Sequence, residues 1–279
     1  MVRLPPGAFG QAPCSRPVYP AARPAATRSV TARLRGGRRR AVALRAGWRG
    51  GREYPQRRGP DSHFFFSPVR TLAQLISVVL HPLLVPTYLV GVLCFALPPG
   101  VVVGLGLDGR AVLLRTWGLT FWLPALLVAG LQQLGLINSV ELPERRQRPL
   151  PLLITALAFG AAALRLGQIY HAGNLAALLF GMALAALLTL FITLFWKISA
   201  HGVGMGGAVG LFTVFVLNER LPLTVAWAWW LLVLLLAAAV AWARLRLAAH
   251  TPAQVLAGLA LGTGVSLAVA LAEWPTVAP

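Results

Sequence analysis

Three short polar clusters interrupt an otherwise apolar sequence, and their residue types suit phosphate chemistry. They are Glu141-Leu-Pro-Glu-Arg-Arg-Gln-Arg-Pro149, Lys197-Ile-Ser-Ala-His201 and Arg244-Leu-Arg-Leu-Ala-Ala-His250-Thr-Pro-Ala-Gln254. Between them they carry the cations Arg145, Arg146, Arg148, Lys197, Arg244 and Arg246 and the imidazoles His201 and His250. Planar guanidiniums bind phosphate oxygens in pairs, and fixed cations stabilise the charge that develops on a transferred phosphoryl group. An imidazole beside such a group serves as nucleophile or as general acid. Packing explains His201 and His250 poorly at these positions. The others have plain alternatives: Arg145, Arg146 and Arg246 as positive-inside residues, Lys197 as a snorkelling side chain, Gln254 as a helix cap.

The elements that must position these clusters are membrane helices. Of 279 residues 57% are hydrophobic and 11% charged, too few charges to cover a water-soluble domain of this size. Seven apolar segments follow from Leu72, roughly 72–97, 111–134, 150–170, 174–196, 202–217, 223–243 and 254–272. In hydrocarbon every backbone polar group needs an internal partner, so the segments are helices. The expected fold is all-α, a polytopic transmembrane bundle of about six or seven helices spanning 67–279 behind a disordered tail. Each polar cluster follows an even-numbered segment, so all three emerge on the same membrane face. Gly202, Gly206 and Gly210, with Gly258 and Gly262, recur at every fourth residue, the spacing that lets two helices approach closely in lipid.

Residues 1–66 form an Arg-rich stretch with no helical or strand periodicity. Residues 1–70 hold fifteen Arg against Glu53 and Asp61, so most of the formal net charge of +18 resides there. Such a composition cannot bury a core. It fits an inert disordered tail, an arm on anionic lipid, a targeting peptide, or a start placed too far upstream, since no Met occurs between Met1 and Met182. Cys14 and Cys94 make no metal-ligand spacing. The preference for Arg over Lys points to GC-rich coding and a bacterial source. His81, before Pro82 in the first segment, reads as a local kink; His171 is a turn residue and His63 belongs to the tail.

In order and spacing the three clusters resemble the tripartite signature of the type 2 phosphatidic acid phosphatase (PAP2) superfamily, membrane enzymes that hydrolyse lipid phosphates. The resemblance covers about residues 135–272. Arg148-Pro149 matches the end of the first motif, with Glu141 where its Lys stands. Ser199 and His201 match the second, with Ile198 for Pro and Ala200 for Gly. Arg244 and His250 match the third at the right separation, with Ala243 for Ser and Gln254 for Asp. The resemblance implies that His250 is a nucleophile forming a phosphohistidine and that His201 protonates the leaving alkoxide. Arg148, Arg244, Ser199 and the backbone near His201 would hold phosphate oxygens, and Gln254 would orient His250. Lys197 and Arg145 are further phosphate-binding candidates, with Arg145 or Arg146 able to substitute for the Lys that Glu141 displaces. It implies no cofactor and no metal. It also implies either a diverged lipid phosphate phosphatase or a relative that kept the fold and binds a phosphate head group.

The partners expected on this reading are the membrane and a lipid or isoprenoid phosphate, not nucleic acid, with a multi-pass location in a bacterial inner membrane. A small transporter or scaffold is the competing class. A transporter would show two similar halves and interrupted helices facing each other, and no such repeat is visible. The arginine excess points the motif face toward the cytoplasm, whereas many PAP2 enzymes work on the outer face.

Overall fold

In the computed structural model the apolar runs are helices throughout the described residues, 68–97, 108–142, 144–170, 173–218 and 221–273, and no strand occurs among them. The expectations for the tail 1–66, for the break at 98–100 and for His171 lie outside those residues. The order is α1 (Pro68–Val79), α2 (Val85–Phe95), α3 (Gly109–Trp117), α4 (Leu123–Gln133), α5 (Pro149–Tyr170), α6 (Gly173–Phe195), α7 (Ala200–Leu217), α8 (Leu223–Arg246) and α9 (Pro252–Glu273). A π-helical turn, Gly118–Trp122, joins α3 and α4 into one rod. Six stretches are long and apolar enough to cross a bilayer: that rod, α5 with its preceding turn, and α6 to α9. The chain is a multi-pass, all-α membrane bundle.

The first apolar segment departs from expectation. Residues 72–97 read as one crossing, but they form two short helices with an elbow between Val79 and Val85. Pro82 has no N–H to continue the ladder, and its ring clashes with the carbonyl four residues back. The elbow closes on itself through Leu84 N–H donating to the His81 carbonyl at 2.8 Å. Losing this segment as a single span does not disturb the shared face of the three clusters, because two crossings still separate each from the next.

Apolar residues face outward as well as inward. Leu157, Leu164, Phe180, Leu235 and Leu256 are exposed, while Leu166, Leu175, Leu179, Phe212 and Phe215 are buried in the core. That two-sided apolar pattern suits a bundle solvated by lipid tails. The tightest pair is α7 against α9. A Cβ at Gly258 would stand 2.6 Å from the Ser199 carbonyl oxygen, and one at Gly262 would overlap the Val203 carbonyl. Backbone meets backbone along this seam, and the Thr263 hydroxyl donates across it to the Gly206 carbonyl at 2.9 Å.

Candidate functional site

Arg244 and His250 are brought to one place by the end of α8. Ala249 N–H bonds back to the Arg244 carbonyl at 3.1 Å and Ala248 N–H to Leu245 at 3.0 Å, the two bonds of a Schellman cap. Ala248 takes the left-handed conformation that this cap normally gives to glycine, with φ of 50°. The chain then turns directly into α9. Thr251 caps that helix: Gln254 N–H donates to its hydroxyl at 3.4 Å, and Thr251 N–H donates to Gln254 Oε1 at 3.3 Å. This is a capping box with Pro252 in the first helical position.

The same Gln254 oxygen lies 3.0 Å from His250 Nδ1. Gln254 is therefore cap and histidine partner at once. Since Thr251 N–H pins the carbonyl oxygen of the amide at this place, and an oxygen of that kind only accepts, His250 donates from Nδ1. The neutral ring then carries its lone pair on Nε2.

Ser199 and His201 are set by the start of α7. The Ser199 hydroxyl accepts from Gly202 N–H at 3.2 Å as the N-cap, and Ser199 N–H donates to the Gln254 carbonyl at 3.2 Å. With the glycine seam below, these contacts hold the beginnings of α7 and α9 side by side, which is what brings the two motif histidines together. His201 Nε2 is 2.9 Å from the Ser77 carbonyl oxygen. A carbonyl cannot donate, so Nε2 carries the proton and Nδ1 is the ring's free nitrogen. The His81 ring stands edge-on to His201 with centroids 5.5 Å apart.

The loop before α5 delivers Arg148. Gln147 accepts from Asn138 N–H at 2.8 Å and donates to Glu144 at 2.9 Å, folding the loop around itself. Leu142, at φ of 48°, turns its carbonyl onto Arg148 Nε at 2.9 Å, and Arg148 Nη1 reaches the Ile198 carbonyl at 3.4 Å. Arg145 goes elsewhere. Its guanidinium donates to the Thr193 and Leu194 carbonyls, the orphan acceptors at the end of α6.

These residues frame one end of a cavity of about 990 Å³, where Glu141, Arg148, Lys197, His201, Arg244 and His250 form the wall. The remainder is lined by apolar and small residues such as Phe159, Met182, Ala185, Gly207 and Val265. On α6 the lining runs from Thr193 back to Ala177, roughly 24 Å at the rise of an α-helix. Four cations, Arg70, Arg148, Lys197 and Arg244, face the cavity against one carboxylate among the described lining residues, Glu141. Arg244 Nε is buried with no hydrogen-bond partner among the described residues.

Electrostatics follow from that crowding. Burial pushes the His250 pKa down to about 4; Arg148, Arg244 and Lys197 act in the same direction and the Gln254 hydrogen bond opposes them. Burial also lowers Lys197, helped by Arg148 and Arg244. His250 is thus an uncharged base at neutral pH, close to the three cations Arg148, Arg244 and Lys197. Among the described residues no group of three or more His, Cys, Asp or Glu side chains is arranged to hold a metal ion.

Of the residues singled out in the sequence, Arg148, Lys197, His201, Arg244 and His250 share the cavity. Gln254 supports it through His250. Ser199, fully buried, serves as a helix cap off the cavity wall, and Arg145 caps α6. Glu141 and Lys197 both stand on the cavity wall, whereas Arg145 and Arg146 do not line it. Sequence reasoning missed Ser77 and His81, which reach the site from the elbow; the signal was His81-Pro82, a polar residue at a helix break. No protein-family model, curated protein or solved structure matches the chain.

Proposed function

We propose that this chain is a membrane phosphohydrolase of the PAP2 type, acting on a lipid or isoprenoid phosphate through a phosphohistidine on His250. One observation carries the reading: a single cavity pairs a cation-rich end holding two histidines with an apolar interior reaching about two dozen ångströms into the bundle. A phosphate fits the first part and a hydrocarbon chain the second. The unpaired Arg244 Nε supports an anionic occupant, because a buried charged donor left without an acceptor costs about 1–3 kcal/mol or more.

In the proposed reaction Arg148, Lys197 and Arg244 hold the phosphate oxygens, and the His250 Nε2 lone pair attacks phosphorus. The P–O bond to the lipid breaks, and the alkoxide takes the proton of the phosphate monoanion, relayed through the lone pair of His201 Nδ1, the nitrogen not engaged by Ser77. Water then attacks phosphorus, the P–N bond breaks and phosphate leaves. The positive charge on the phosphorylated ring is met by the Nδ1–H bond to Gln254, a neutral acceptor. The proposed location is a bacterial inner membrane, supported by the arginine-rich, lysine-poor composition.

A second reading, head-group binding without turnover, is favoured by Glu141 on the cation wall and by an amide at Gln254. Phosphate release by the purified full-length protein from phosphatidic acid and from isoprenyl phosphates separates the two. Release that disappears in His250→Ala and Arg244→Ala supports the enzyme. Binding of inorganic phosphate without release in the parent protein supports the second reading, and neither binding nor release refutes both.

A further inference from the structure

We infer that the elbow between α1 and α2 is a third wall of the phosphate site, with the Ser77 hydroxyl and His81 Nε2–H donating to phosphate oxygens. The inference rests on the phosphate reading above and adds two ligand-contacting residues that lie outside all three sequence clusters.

Four observations carry it. First, the face of α1 that meets the cavity is largely polar: Arg70, Gln74 and Ser77 line it at helical spacing with Val78 the one apolar member, and His81 continues the row, while Leu72, Leu75 and Val79 on the same helix are exposed. Second, Ser77 is only 7% exposed, yet its hydroxyl has no hydrogen-bond partner among the described residues. Buried hydroxyls are almost always paired, so this one lacks a partner that a ligand oxygen would supply. Third, the proton of His81 can be located. Leu83 N–H donates to His81 Nδ1 at 3.3 Å, so the neutral ring keeps its hydrogen on Nε2, and that N–H makes no hydrogen bond among the described residues.

Fourth, the elbow is held against the site. A Cβ at Gly204, in the second turn of α7, would meet Val85 at 3.3 Å and Pro82 at 3.5 Å. The Ser77 carbonyl anchors His201 one turn away. Pro82 is thus more than a helix breaker: it ends α1 where its last polar residues face the cations. The elbow supplies neutral N–H and O–H donors, and these complement the guanidiniums without adding to the like-charge repulsion among Arg148, Lys197 and Arg244.

The test uses full-length protein in detergent with inorganic phosphate as the probe, read as inhibition of turnover and as thermal stabilisation. Ser77→Ala removes the hydroxyl but leaves the carbonyl that holds His201. His81→Leu keeps bulk and removes the donor, and His81→Gln keeps an N–H at the same reach. A hydrogen bond to a charged group corresponds to about tenfold or more in affinity. Ser77→Ala and His81→Leu are therefore expected to weaken phosphate binding by about tenfold each, and His81→Gln by much less. Parental affinity in both Ser77→Ala and His81→Leu, with His250-dependent release intact, would overturn the elbow and leave the phosphohydrolase standing. Equal losses in His81→Leu and His81→Gln would also overturn the donor role of His81. A parent protein that neither binds nor releases phosphate removes the reading underneath.

Discussion

Replacing Gln254 by glutamate isolates what a carboxylate adds to this site. The side chains are isosteric, and Glu suits the third position of a capping box as well as Gln does, so Gln254→Glu leaves α9 capped. The oxygen now 3.0 Å from His250 Nδ1 becomes charged. A hydrogen bond to a charged partner is worth about 1.5–3 kcal/mol against about 0.5–1.5 for a neutral pair. The ring gains its charge during attack, so about 1–1.5 kcal/mol accrues to the transition state, roughly five- to tenfold in kcat. This is far below the ~10⁴ lost when the serine protease carboxylate becomes an amide, because that amide also imposes the wrong tautomer. Here Thr251 N–H already turns the Gln254 oxygen toward His250, so the tautomer is right and charge alone is missing.

The same change predicts a pH signature. Attack needs an unprotonated Nε2, so activity is present above the His250 pKa and lost as pH falls through it. On the proposed mechanism the parent's acid limb is expected at about 4 in the free enzyme. A carboxylate favouring the imidazolium raises it by about one unit for each 1.36 kcal/mol. The acid limb is read from kcat/KM for phosphate release, which reports the free enzyme, and the rate gain from kcat at saturating substrate, with a thermal melt as fold control. If kcat and the acid limb are unchanged in a variant that melts like its parent, Gln254 is a cap and the charge argument fails.

Two further perturbations test how the fold sets the site. Gly262→Val drives its side chain into the Val203 carbonyl and parts α7 from α9; overpacking of this kind costs about 1–3 kcal/mol or more, so a lower melting temperature should accompany loss of phosphate release, and an unchanged melt refutes the seam. Ala248→Val places a β-branched residue at φ of 50°, costing at least about 1–2 kcal/mol, whereas Ala248→Gly relaxes the same turn; melts that fail to move in opposite directions would show that this cap is not under strain.

The bundle was legible because hydrocarbon imposes a simple demand: long apolar runs with paired backbones. From Pro149 onward the helix ends fall within a few residues of the polar breaks that announced them. The first segment was not legible as two helices, because its mean apolarity over 72–97 hides the single residue, Pro82, that divides it. The convergence of Arg148, Lys197, Arg244, His201 and His250 was readable from spacing and parity. The contribution of Ser77 and His81 was not, since it depends on how far the elbow bends back over α7, and that is settled by Gly204 in a different segment.

Ser199 and Arg145 show where residue type alone misleads in a membrane protein. Each is of a kind that binds phosphate, and each sits in the right cluster. Every helix end near a bilayer also leaves backbone N–H and C=O groups unpaired, and the residues that satisfy them are the same serines, arginines and glutamines. Ser199 is engaged by Gly202 and Arg145 by the end of α6. Arg244 Nε and Ser77 Oγ, by contrast, are buried and have no hydrogen-bond partner among the described residues. Of the four such side-chain atoms among the described residues, Ser77 Oγ, Thr193 Oγ1 and Arg244 Nε belong to residues that border the same cavity as His250 and Thr87 Oγ1 does not, so the donors left over after the helix ends are satisfied are a better guide to a ligand than the clusters they came from.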